Sequence, residues 1–84
     1  MSVLQELPNI GAKLEKQLND VGIETYADLV ECGSQESWLK IKSIDHTACI
    51  NRLMSFEGAI QGVRWHDLSD TDKRHLKDFY LQNK

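Results

Sequence analysis

The spacing of apolar residues between Cys49 and Val63 constrains this chain more than any other feature. Cys49, Leu53, Phe56, Ile60 and Val63 recur at intervals of four, three, four and three, the period of an α-helix that lays one stripe on a core. Ile50 and Met54 widen the stripe beyond the narrow seam of a coiled coil, so this helix has apolar surface for more than one neighbour. Asp45 is its predicted N-cap, and it is expected to run from near His46 to Val63 or Arg64 as the central helix of a bundle. Within it Gly58 and Gly62, with Ser55 and Ala59 nearby, leave room for close backbone approach, most economically inside the domain.

The remaining chain reads as shorter helices around that centre. A short helix over Ser2 to Glu6 must stop near Leu7, because Pro8 lacks an amide proton and restrains its predecessor. After Gly11, the positions Leu14, Leu18 and Val21 mark a helix with one buried stripe, leaving Glu15, Lys16 and Asp20 largely outside it. Gly22 ends this helix, and Ile23 folds back on its last turn. Thr25 with Asp28 forms a capping box for a helix holding Tyr26, Leu29 and Val30, which closes at Gly33. Ser34 is the predicted cap of the next helix, where Trp38, Leu39 and Ile41 supply apolar surface, and Ser69 with Asp72 caps a last helix whose inner face is Leu76, Phe79 and Tyr80. No stretch alternates at the period of a strand. The expectation is an all-α fold, a small bundle of five or six helices in one domain spanning residues 1–84. Its core should draw on Leu14, Leu18, Leu53, Phe56, Ile60, Trp65 and Phe79.

Function is harder to read. The segment LPNIGAK, Leu7 to Lys13, turns between two helices and could expose the first amides of the second to a phosphate oxygen. Asn9, Ile10, Gly11, Lys13 and Lys16 are therefore the candidate nucleic-acid-binding residues. Gly11 is the expected tight point, with positive φ or a close neighbour, and Lys13 and Lys16 supply charge. Against this, residues 1–31 carry two lysines and six carboxylates, a formal balance of −4 within a chain of net charge −3, whereas DNA affinity rests on neutralising phosphates. The turn is thus either structural or a weak, nonspecific DNA contact. The basic group Lys73, Arg74 and Lys77 is interleaved with Asp70, Asp72 and Asp78 and reads as a solvated helix surface.

Other chemistry finds little support. His46 and Cys49 stand at helical spacing, with Cys32, His66 and His75 elsewhere, but there is no paired-cysteine motif and Cys49 belongs to the apolar stripe, so no metal and no cofactor are expected. His66 and Asp67 are adjacent without an accompanying nucleophile, so no catalysis is expected. Trp65 is expected to pack on the long helix while His66 ends or bridges helices. With two cysteines the chain is not a disulfide framework, and no segment approaches the roughly 18 apolar residues of a membrane span. A reduced cytoplasmic setting follows as the expectation.

The chain resembles the C-terminal domain of the TfoX family, bacterial competence regulators, and more broadly a helix-hairpin-helix domain. Leu7, Asn9, Ile10, Gly11 and Lys13 are similar to the family's hairpin opening, followed by Leu18, Gly22, Ile23, Thr25, Asp28 and Leu29. GVRWHDLSDTDKRHL is similar to its terminal motif, through Gly62, Trp65, His66, Leu68 and Leu76. The resemblance implies a small all-helical domain of structural motifs (Gly22, Gly62, Trp65, His66), with no catalysis and with nucleic-acid association suggested by related hairpins. The N-terminal TfoX domain is absent from the sequence, and Asn9 stands where a common Gly-x-Gly hairpin has its earlier glycine. The combined expectation is a noncatalytic interaction module with a protein partner, alternatively a DNA-associated regulator, with no membrane association. A homodimer through the long or last helix is a further expectation, since their apolar residues could exceed what one small domain buries.

Overall fold

The computed structural model describes residues 4–84. Among these residues are five α-helices and two 3-10 turns, with no strand: a 3-10 turn Leu4–Glu6, α1 Ala12–Asp20, α2 Tyr26–Cys32, α3 Ser34–Ile44, α4 Ile50–Gln61, a second 3-10 turn Trp65–Asp67, and α5 Asp70–Asn83. Of the short first helix expected over Ser2 to Glu6, the described part is the 3-10 turn; Ser2 and Val3 lie outside the described residues. α4 is the centre, packing against α2, α3, α5 and the second 3-10 turn.

Several boundaries follow local codes. α1 closes as expected, with the Gly22 amide donating to Asn19 O (3.0 Å) and the Ile23 amide reaching back to Leu18 O (2.8 Å); Gly22 has φ 89°, a left-handed conformation that costs glycine little. At α2, Thr25 Oγ1 accepts from the Asp28 amide at 3.1 Å and Asp28 Oδ2 accepts from the Thr25 amide at 3.2 Å, completing the capping box. Ser69 Oγ caps α5 by accepting from the Asp72 amide at 3.0 Å.

Two predicted caps have other roles. Ser34 is not an N-cap: Gly33, at φ 83° and ψ 159°, turns the chain straight from α2 into α3. Ser34 consequently sits in the first helical turn and donates to Glu57 Oε1 at 2.6 Å, tying α3 to α4. Asp45 ends α3 instead of starting the long helix. Its carboxylate accepts from the Thr47 amide (2.9 Å) and the Thr47 hydroxyl, a local turn that competes with helix formation. α4 therefore starts only at Ile50, behind Cys49, and stops at Gln61 with Gly62 left-handed at φ 76°. Cys49 lies ahead of the stripe it was expected to join, where its carbonyl accepts from Trp38 Nε1 at 3.0 Å.

The seven residues expected in the core all belong to it or pack against it. Leu18, Leu53 and Phe56 are fully buried, whereas Leu14, Ile60, Trp65 and Phe79 are half-buried at its edge. The large interior ring is Trp38, fully buried, with Phe79 and Tyr80 edge-on at centroid distances of 6.1 and 5.6 Å and Lys42 Nζ 5.1 Å from its ring. The apolar stripe of α4 is thus largely consumed inside the bundle.

Candidate functional site

The geometry of the turn over residues 7–13 is set by Asn9. It has φ 71°, the only described non-glycine residue with positive φ, a conformation asparagine tolerates better than most residues. Gly11 instead is extended, at φ −96° and ψ −175°, and a Cβ there would meet nothing within 4 Å. The expectation that Gly11 is the tight, left-handed point is corrected: the tight point is Gly58, where a Cβ would lie 2.6 Å from Asn9 Nδ2 and 2.8 Å from Val63 O. Its missing side chain admits the Asn9 amide onto the end of α4. There Asn9 Nδ2 donates to Val63 O (3.0 Å) and Ser55 O (3.4 Å), and the Trp65 amide donates to Asn9 Oδ1 at 3.1 Å.

These contacts join the two motifs that lie at opposite ends of the sequence. Gly62 turns the chain at the end of α4, half-buried Trp65 packs on the core, and His66 stacks on Trp65 with ring centroids 3.8 Å apart while its carbonyl accepts from Lys73 Nζ at 2.8 Å. Ile10 is only 5% exposed. Of the five candidate nucleic-acid residues, Asn9 and Ile10 are thus engaged in the interior and Gly11, Lys13 and Lys16 face outward. Lys16 Nζ pairs with Asp20 Oδ2 at 3.0 Å on the exposed face. At the start of α1 no side chain caps the helix, so its first amides and Lys13 share one exposed end.

Glu15 departs from its expected exposure. It is 7% exposed, its Oε2 accepting from the Leu4 and Gln5 amides at 3.0 and 3.1 Å and its Oε1 from Gln5 Nε2 at 2.9 Å. One carboxylate on α1 thereby anchors the N-terminal 3-10 turn. A second polar cluster joins α1, α3 and α4: Asp45 Oδ2 accepts from Arg52 Nη1 and from Gln17 Nε2, each at 2.8 Å. Together with the Thr47 bonds these hold the Asp45 carboxyl far below the usual carboxylate range.

The outer face of α2 carries two exposed large apolar side chains on one short helix. Tyr26 and Val30, one helical turn apart, are 44% and 45% exposed, and exposed Ala27 lies between them. Tyr26 is held in place by its hydroxyl, which donates to Ile60 O at 2.6 Å. Two exposed carboxylates belong to the same segment, Glu24 before the helix and Glu31 in its last turn. Behind it, a shallow groove of about 360 Å³ is lined by Gly22, Ile23, Asp28, Glu31, Cys32 and Lys40. Another open groove, about 390 Å³, runs past Cys32, Ser34, Glu36, Leu39, Glu57 and Phe79. Sequence reasoning missed the α2 face because a stripe of Tyr26, Leu29 and Val30 reads as core; only Leu29 reaches it.

Among the described residues no three His, Cys, Asp or Glu side chains are grouped to hold a metal ion, and no helix is long and apolar enough to cross a membrane. Cys32 and Cys49 are free thiols.

Comparison with known proteins agrees with the fold. The family model of the TfoX C-terminal domain matches residues 1–80. A crystal structure of an uncharacterized protein from Listeria monocytogenes, in a triclinic form, is 44% identical and superposes with a TM-score of 0.93 over 94% of this chain and 90% of that one. A tetragonal crystal form of a protein of unknown function from Listeria monocytogenes is 43% identical, with a TM-score of 0.94 over 96% of this chain and 99% of that one. No curated protein matches. Matched over nearly its whole length, the chain belongs to the TfoX C-terminal domain family.

Proposed function

We propose that this chain, as a single TfoX-C-like domain over residues 1–84, is a noncatalytic cytoplasmic module of macromolecular interaction whose partner is protein. The observation that carries this reading is the outer face of α2, where Tyr26 and Val30, one turn apart, are two of the four large apolar side chains exposed among the described residues, the others being Ile44 and Leu81 on separate helices. Apolar side chains in a cluster on a rigid helix are what a partner surface buries. Val30→Lys leaves the core untouched and removes that surface. Affinity capture with the unaltered chain and with the variant tests the reading: a protein that is lost with Val30→Lys, retained with Lys13→Glu, and that once purified protects α2 amides from hydrogen exchange supports it. Capture indifferent to Val30→Lys counts against it.

The alternative is a DNA-associated regulator that contacts phosphate weakly through the hairpin. It is favoured by one feature, the uncapped start of α1 beside exposed Lys13. It is weakened by the inward engagement of Asn9 and Ile10 and by the pairing of Lys16 with Asp20. Fluorescence anisotropy with single- and double-stranded DNA separates the two. The expected outcome is no saturable binding at near-physiological salt; salt-dependent binding that Lys13→Glu weakens would promote the regulator reading.

A further inference from the structure

The acidic, apolar face of α2 has a counterpart on the same molecule. Arg74, Lys77 and Leu81 on α5, and Lys84 just past its end, recur at spacings of three, four and three, which places them along one side of the helix. All four are exposed, Leu81 at 49%. This side is opposite the one that buries Leu76 and half-buries Phe79 and Tyr80. Among the described residues the ion pairs are Lys16 with Asp20 and Arg52 with Asp45. Arg74 and Lys77 on α5, Glu24 before α2 and Glu31 in its last turn therefore have no ion-pair partner among the described residues. Asp70 and Asp78 on α5 dilute the basic stripe without pairing to it, and Lys40 does the same across the groove from Glu31. The α2 segment thus offers exposed apolar side chains together with carboxylates outside any ion pair among the described residues, and α5 offers an exposed leucine together with cations likewise outside any.

We propose that the outer face of α2 docks on the outer stripe of α5 of a second copy of this chain, with Tyr26 and Val30 against Leu81 and Glu24 and Glu31 opposite Arg74 and Lys77. This rests on the reading of α2 as a protein-binding face and names its partner. The contact is heterologous, joining different patches on the two copies. Its few apolar anchors and rim charges make it weak and dependent on ionic strength. Of the two surfaces expected for a homodimer, the long-helix seam is occupied within the bundle, and the last helix, α5, supplies one side of this contact with α2 as the other.

Multi-angle light scattering of the full chain, with reductant present to keep Cys32 and Cys49 free, gives the test. The unaltered chain should rise above 9.6 kDa as concentration increases at low salt and fall back as salt is raised. Arg74→Glu with Lys77→Glu in one variant, and Glu24→Lys with Glu31→Lys in another, should each weaken association by about tenfold or more, since like charges then face each other. An equimolar mixture of the two variants should associate again, because each reversed patch meets its complement on the other chain. Circular dichroism establishes that both variants are folded before mixing. A mass fixed at 9.6 kDa at every concentration, or folded variants that fail to associate on mixing, overturns the proposal. That result leaves the α2-dependent capture experiment standing on its own, so failure of self-association and failure of the protein-binding reading are told apart.

Discussion

Single positions in this domain differ sharply in what they tolerate, and burial or backbone alone does not explain the difference. Phe56 is fully buried on α4, so Phe56→Ala should cost about 3–5 kcal/mol, a large share of the stability of a small domain, read as a lower denaturation midpoint. The glycines give a more selective contrast. At Gly58 an added methyl would stand 2.6 Å from Asn9 Nδ2, 2.8 Å from Val63 O and 3.1 Å from the Trp65 amide nitrogen; two of these are backbone atoms that cannot simply rotate away. Gly58→Ala should therefore destabilise by roughly 1–3 kcal/mol although alanine is the better helix former. Gly11→Ser, at an open and extended N-cap position, should be neutral or stabilising by a few tenths of a kcal/mol. Denaturant titration of the pair checks both, and equal midpoints would contradict the assignment of Gly58 as the tight point.

At the scale of elements, helix ends here are decided by which polar group reaches the backbone first. Thr25, Ser69 and the Gly22–Ile23 turn act within their own few residues. The α3–α4 connection is different, because the Asp45 carboxylate is shared between its own turn and side chains from α1 and α4. The Thr47 hydroxyl is the main cause of its lowered pKa, followed by Arg52, the Thr47 amide and Gln17, with burial acting the other way. A carboxyl whose folded pKa is depressed adds stability that is complete above its unfolded value, about 3.9, and is lost as pH falls below that toward the folded value. Asp45→Asn should thus lower the thermal midpoint at neutral pH, and the gap from the unaltered chain should narrow as pH falls from about 4 toward 2. Thermal melts across that range check it; a gap that stays constant would exclude the carboxylate's charge as the cause.

At the scale of the molecule, the turn before α1 is tied to the segment that follows α4. Asn9 bonds to Val63 and Trp65, and Glu15 holds the first described residues onto α1. Removing the Asn9 side chain leaves the Val63 carbonyl and the Trp65 amide without that partner in a partly buried site, a loss of roughly 1–3 kcal/mol. Asn9→Ala also places a residue with no side-chain compensation at φ 71°, whereas Asn9→Gly keeps the turn conformation and loses only the bonds. Both variants should weaken hydrogen-exchange protection around Val63 to Trp65, Asn9→Ala more than Asn9→Gly in overall stability. Unchanged protection in Asn9→Gly would show that the Asn9 side chain does not hold the two motifs together.

The sequence by itself determined the all-α class, the central helix and the helix ends whose signals are local: the period of Leu53, Phe56 and Ile60, the Thr25–Asp28 box, the Gly22 closure and the Ser69 cap all act between residues at most a few positions apart. It also marked the two motifs of the family without placing them side by side. The tertiary structure decided the rest. Asp45 looked like a cap, Glu15 like a surface carboxylate, Asn9 like a phosphate ligand and Gly11 like the tight glycine, because each was read against its sequence neighbours. Their actual roles depend on groups brought near by packing: Arg52 and Gln17 for Asp45, the Leu4 and Gln5 amides for Glu15, and the end of α4 for Asn9. Apolar period is a property of one helix and survives in the sequence, whereas a polar side chain's partner is chosen by where the helices come to rest.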